Sequence, residues 1–292
     1  MMNDRIAVGL DGSAESLAAA HWAAREAVLR GVPLRLVHAE EWSSHRDVPV
    51  PTGEVRRHWA QALLTETCDE LRAGHPELDV DVRSLDGRPA AEIVGVAAGA
   101  NMIVLGSRGL GTVTGFVLGS VGTAVIRATV RPVVMVRAAE DAVPHPDGRH
   151  AARELLVGVD VGQPCDALLA FAFEEAARRA CALHVLHSWS LPPLAGYGAA
   201  YDPRVHAQLE MSANACLGDV LRPWQDKYPD VDVISRASAG HAATELVERS
   251  SEAGLVVVGR RIRRSSIGAH IGPVTHAVLH HAKAPVAVIA HE

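Results

Sequence analysis

Residues 6–13 read IAVGLDGS and residues 155–162 read LLVGVDVG: in each, a short apolar run ends on an aspartate, Asp11 or Asp160. Downstream of each, LRLVHA and LHVLHS carry His38 and His187 at the end of a second apolar run. Asp160 follows Asp11, and His187 follows His38, at one shared offset of about 149 residues. Pro76/Pro229, Glu92/Glu245, Gly106/Gly259, Gly119/Gly272 and Pro132/Pro285 keep a second offset, roughly four residues larger. One short length change between residues 39 and 76 therefore reconciles the two halves. The chain is one domain written twice.

Within each copy, short Val- and Ile-rich runs alternate with longer Ala-rich, helix-permissive segments. In the first copy the strands are expected at residues 5–10, 34–38, 80–84, 102–106 and 133–136, and the helices at 14–30, 56–73, 89–99 and 120–129. In the second the strands are expected at 155–159, 183–187, 231–235, 255–259 and 286–290. Continuous apolar runs suit strands buried on both faces, which parallel sheets require. Strand–helix alternation then implies α/β architecture: two tandem doubly wound parallel-sheet domains. Ser13 or Asp11 can cap the first helix, and Pro89 suits a first helical turn. The polar, proline-containing stretch EDAVPHPDGRHAAR, residues 140–153, reads as a linker between domains at 1–139 and 154–292. Residues 40–55 and 191–203 read as long surface loops at matching places.

The totals narrow the function. At 292 residues the chain is long enough for two domains, and a net charge of −6 gives no electrostatic footing for nucleic acid. Cys68, Cys165, Cys181 and Cys216 form no CxxC pair and read as idle thiols of a reducing compartment. MMNDRIAVGLDGS is not a signal sequence, and no apolar run approaches the ~20 residues of a membrane span. A cytoplasmic protein without a membrane partner is expected.

After the fourth strand of the first copy comes GSRGLGTVTGFVLGSV, residues 106–121, in the pattern G-x2-G-x9-G-S. Glycines let the backbone approach a ligand closely, and amides at the start of the next helix can point at an anion. Ser120 adds a hydroxyl and Arg108 a positive charge. Asp11 and Gly106 both fall at carboxyl ends of strands, where open α/β sheets bind ligands. The loop is neither a Walker loop nor a dinucleotide fingerprint.

On these residues the chain resembles the universal stress protein family, in the tandem two-domain form common in actinobacteria. The resemblance covers essentially the whole chain and implies the adenine-nucleotide alpha-hydrolase-like fold. Because the glycine motif is present, it also implies ATP as ligand, with Mg²⁺ or Mn²⁺ bridging the phosphates. By the same resemblance, Leu10 and Asp11 meet the adenosine end and the backbone at Ala39 the adenine. Gly106, Arg108, Gly109, Gly119, Ser120 and Val121 surround phosphates and ribose. Asp160, Ser188, Gly259 and Gly272 are the second copy's weaker counterparts, since Gly109 there becomes Ile262 and Ser120 becomes Pro273. Isoleucine resists the backbone angles glycine allows, and proline removes a hydroxyl and an N–H donor. Arg260, Arg261, Arg263 and Arg264 pull the other way, as phosphate-binding side chains.

Among sixteen histidines, His38 and His187 read as hydrogen-bonded strand-end residues, since no HxxxH or HExxH pairs them. His280 and His281 are adjacent and face different directions. No metal-ligating residue is assigned. No nucleophile elbow, HExxH or catalytic cysteine context appears, so no catalytic residue is assigned and the chain is not expected to be an enzyme. The leading expectation is an ATP-binding sensor or regulator in a stress response, acting on a protein partner, with a homodimer implied by resemblance. A nucleotide-free scaffold and a weak ATPase stand behind it.

Overall fold

The computed structural model describes residues 4–40, 53–107, 119–138, 154–190, 203–262 and 271–292. It divides into two units, Met1–Val143 and Pro144–Glu292. Unit 1 runs β1 (Ile6–Gly9), α1 (Ala14–Arg30), β2 (Leu34–Glu40), α2 (Gly53–Gly74), β3 (Val80–Asp86), α3 (Pro89–Ala97), β4 (Met102–Gly106), α4 (Ser120–Ala128) and β5 (Val133–Val136). Its strands lie in the order β3-β2-β1-β4-β5 and pair in parallel. Ile6 stands in register with Leu34 on one side and Met102 on the other. α1 packs with α2, and α3 with α4. The chain thus winds outward over one face of the sheet and back over the other, reversing between β1 and β4.

Unit 2 repeats the plan: β6 (Leu155–Gly158), α5 (Asp166–Arg179), β7 (Leu183–Trp189), α6 (Pro203–Lys227), β8 (Val233–Ala239), α7 (Ala242–Arg249), β9 (Leu255–Arg261), α8 (Pro273–His281) and β10 (Val286–His291). Its parallel order is β8-β7-β6-β9-β10. Both units are the doubly wound α/β sheets that the alternation implies.

Boundaries depart from the sequence reading at polar strand ends. β3 and β8 run to Asp86 and Ala239, and β8 begins at Val233 rather than at 231. β2, β7 and β9 also extend two residues further than expected, and α2 begins at Gly53, inside the stretch read as loop. The cause is pairing: Glu40 aligns with Asp86, and Trp189 with Ala239, so ladder bonds carry the strands beyond their apolar runs.

The cores differ in how they are filled. On α1, Ala19, Ala20, Ala23, Ala24 and Ala27 are fully buried, and such small side chains let the helix lie close to the sheet. The equivalent of Ala24 on α5 is Phe173, also fully buried, with Trp224 stacked at 6.0 Å and Tyr228 at 5.7 Å. A buried side chain of this size contributes about 2 kcal/mol over leaving it exposed. Both helices bury a glutamate in the same place. Glu26 pairs with Arg30 at 2.5 Å, and Glu175 with Arg178 at 2.6 Å and with Arg179.

Ser13 caps α1 by accepting from the Ser16 amide at 3.2 Å, a cap worth about 1 kcal/mol. Gly31 ends α1 in the left-handed region, at φ 63°. Its counterpart after α5 is Ala180, at φ 48°, the only non-glycine residue with positive φ among the described residues.

Candidate functional site

β1 delivers Leu10 and Asp11 to the carboxyl edge of the unit 1 sheet. Leu10 is buried, and its amide donates to the Val37 carbonyl at 2.8 Å. Asp11 is exposed; its Oδ1 accepts from the Ser13 amide at 3.0 Å and from the Ser13 hydroxyl at 2.5 Å. The Asp11 amide donates to Ser16 Oγ at 3.3 Å. The carboxylate is therefore held in a hydrogen-bonded turn that also starts α1.

His38 fixes the neighbouring strand end. Its Nδ1 donates to the Leu10 carbonyl at 2.9 Å, which sets the tautomer, since a carbonyl can only accept. Nε2 is then an acceptor, buried and without a partner among the described residues. Trp59 of α2 meets the ring edge-on at 5.5 Å. In unit 2, His187 Nδ1 reaches the Val159 carbonyl at 3.1 Å. Both histidines are hydrogen-bonded strand-end residues, as their sequence setting indicates.

Ala39 follows, half-buried, in register with Leu85. Beside it, a cavity of about 360 Å³ opens at the ends of β2 and β3. Its polar lining includes His38, Glu40, Arg56, Arg57, Ser84 and Asp86, and Glu40 meets Arg56 at 3.5 Å. Sequence reasoning missed this lining. The Arg56-Arg57 pair stood at the expected start of α2, yet only the fold brings it to the same cavity as Asp86.

Gly106 ends β4 against the first turn of α1. A Cβ there would lie 2.6 Å from the Glu15 carbonyl carbon and from the Ser16 nitrogen. Glycine is required because backbone meets backbone, and this close approach brings the Asp11 turn to the end of β4. Ser107 follows, buried, with its amide donating to the Val136 carbonyl at 2.7 Å. Arg108 and Gly109 lie outside the described residues.

Gly119 is the N-cap of α4, with Ser120 and Val121 in the first turn. The Gly119 carbonyl accepts from the Thr123 amide at 3.0 Å and the Thr123 hydroxyl at 3.1 Å. The first-turn amides of a helix have no intrahelical acceptor, and the first turn of α4 carries no acidic side chain. Leu10, Asp11, Ala39, Gly106 and the start of α4 thus share the carboxyl edge of one sheet, around the point where strand order reverses.

In unit 2, Asp160 Oδ1 accepts from the Gly162 amide at 3.0 Å, and no hydroxyl stands in place of Ser13. Ser188 donates to Glu245 at 3.3 Å, and Ser238 donates to the same carboxylate at 2.7 Å. A Cβ on Gly259 would meet side chains: His291 Nε2 at 2.7 Å and Leu168 Cδ1 at 3.2 Å. Gly272 caps α8, and Pro273 takes its first position, so one amide donor is lost there. Arg260 is buried where unit 1 has Ser107, and burial lowers its pKa.

Burial is also the first cause that raises the thiol pKa of Cys68, Cys165 and Cys181, which makes these poor nucleophiles; Cys216 is exposed. Among the described residues, no group of three His, Cys, Asp or Glu side chains is arranged to hold a metal ion. No helix of the described residues is long and apolar enough to cross a membrane.

Comparison with known proteins matches the profile of the Universal stress protein family twice, at residues 2–137 and 152–290. Universal stress protein Rv2005c of Mycobacterium tuberculosis is 34% identical over 97% of this chain and 96% of its own length. Universal stress protein Rv2623 of the same organism is 34% identical over 98% of this chain and 96% of its own. The crystal structure of a universal stress protein from Archaeoglobus fulgidus covers all of both chains with a TM-score of 0.70 at 18% identity, a likeness of fold alone.

Proposed function

This chain belongs to the universal stress protein family, and from that premise we propose that unit 1 binds ATP and serves as a nucleotide-dependent sensor or regulator in a stress response. One observation carries the reading. The Asp11 turn, the Ala39 strand end, Gly106 and the start of α4, whose first turn carries no acidic residue, line one sheet edge at the strand-order reversal. The amides of α4 and Ser120 suit phosphate oxygens, and Asp11 suits ribose or base hydrogen-bond donors. A Mg²⁺ or Mn²⁺ ion accompanying the nucleotide would take phosphate oxygens and water.

Unit 2 supports a different role. Ser188 is engaged with Glu245, Pro273 removes an amide, and Arg260 stands in place of Ser107. We read it as a diverged copy that does not bind ATP in the manner of unit 1 and is available to a protein partner. Bound nucleotide would act by favouring one state of the partner-facing surface, which requires tighter binding to that state.

Calorimetric titration of nucleotide-stripped protein with ATP and Mg²⁺ tests both statements. One site per chain, weakened in Asp11→Ala, is the expected result. Two sites would overturn the reading of unit 2. No binding would overturn the reading of unit 1 in favour of a nucleotide-free scaffold.

A further inference from the structure

α8 carries histidines at 276, 280 and 281. His276 and His280 are one helical turn apart and so share a face, with ring centroids 4.3 Å apart and planes inclined by 31°. The His281 ring lies 6.3 Å from that of His280. The helix buries Thr275, Val278 and Leu279 instead, and His276 is exposed. The fold does not demand the pair, because α4 has Thr123 and Arg127 at the matching positions.

The neutral ring is the form that donates a lone pair to a metal.

We propose that His276 and His280 chelate a divalent first-row transition metal ion of the imidazole-binding class, such as Zn²⁺, Ni²⁺ or Cu²⁺. Metal–imidazole bonds of about 2.0–2.1 Å are within reach of two rings one turn apart. The described residues supply no third ligand of the group, so water or an exchangeable ligand completes the coordination. This ion is distinct from Mg²⁺ at nucleotide phosphates, which prefers oxygen donors. It would tie adjacent turns of α8, a helix packed on α7, β9 and β10, and so stabilise unit 2 by linkage.

The test uses the full chain, stripped with a chelator and then titrated with Ni²⁺ by calorimetry, with thermal midpoints measured in Ni²⁺ and in Mg²⁺. We expect His276→Gln and His280→Gln each to weaken one Ni²⁺ site by roughly tenfold or more. The double variant should abolish that site, and His58→Gln should leave it intact. The Ni²⁺-dependent rise in midpoint should shrink in either single variant and vanish in the double, and Mg²⁺ should produce none. If a glutamine variant fails to fold, the double substitution His276→Thr with His280→Arg, which copies the α4 side chains, takes its place. Unchanged Ni²⁺ binding in a folded variant overturns the proposal.

Discussion

Unit 1 closes its fourth strand against backbone, and unit 2 closes the same strand against side chains. A Cβ on Gly106 would strike the α1 main chain at 2.6 Å, whereas one on Gly259 would strike the tips of His291 and Leu168. A glycine in the same place of the same motif therefore serves two purposes. In unit 1 it sets the distance between the Asp11 turn and the end of β4. In unit 2 it only makes room for movable groups. The glycine motif is thus partly a packing device, and its retention does not by itself mean retained ligand binding.

The largest expected effect follows from that contrast. Gly106→Ala forces main chain apart and should cost roughly 3 kcal/mol or more, whereas Gly259→Ala should cost about 1 kcal/mol because side chains can yield. Denaturant-dependent hydrogen exchange, read separately on peptides of each unit, measures both. Equal losses would mean that the α1 turn is softer than its geometry suggests.

Next in size is the pair of first-strand aspartates. Removing a charge-assisted hydrogen-bonding partner is worth about 1.5–3 kcal/mol, so Asp11→Ala should weaken ATP binding roughly ten- to a hundredfold. Asp160→Ala should leave it unchanged. Competition with a fluorescent ATP analogue gives both numbers, and a loss in Asp160→Ala would erase the functional difference drawn between the units.

The helix ends sharpen the comparison at smaller scale. Gly31 and Ala180 occupy the same left-handed position, at φ 63° and 48°, but only glycine does so without strain. Ala180→Gly should stabilise unit 2 by about 1 kcal/mol, and Gly31→Ala should destabilise unit 1 by a similar amount. Nothing lies within 4 Å of a Cβ built on Gly31, so the loss would come from backbone strain alone. Hydrogen exchange of α1 and α5 separates the two effects.

These contrasts also mark what the sequence could reveal. The repeat, the alternation and the places of Asp11, Gly106 and Gly119 at element ends were legible, because each follows from local pattern: apolar runs of strand length and glycines at a strand–helix junction. The ends of β3 and β8 were not, because residues 85–86 and 236–239 continue no apolar run and only pairing with β2 and β7 extends the strands through them. The reason for Gly106 was hidden too, since Glu15 and Ser16 are brought to it by the fold. His276 lies four residues before His280, a spacing written in the sequence, but only helix formation in α8 brings the two rings to 4.3 Å.

The smallest effect concerns Ser188, where Ala39 stands in unit 1. Its hydroxyl reaches Glu245 at 3.3 Å, while Ser238 holds the same carboxylate at 2.7 Å. The shorter bond is better made, so Ser238→Ala should cost about 1 kcal/mol and Ser188→Ala about half that. Neither change should alter ATP stoichiometry if unit 2 does not hold nucleotide. Should Ser188→Ala instead reduce the number of bound ATP molecules while stability stays put, the hydroxyl would be turning from Glu245 to a ligand. Unit 2 would then have kept the nucleotide end nearest β7 despite losing the features that suit phosphate at α8.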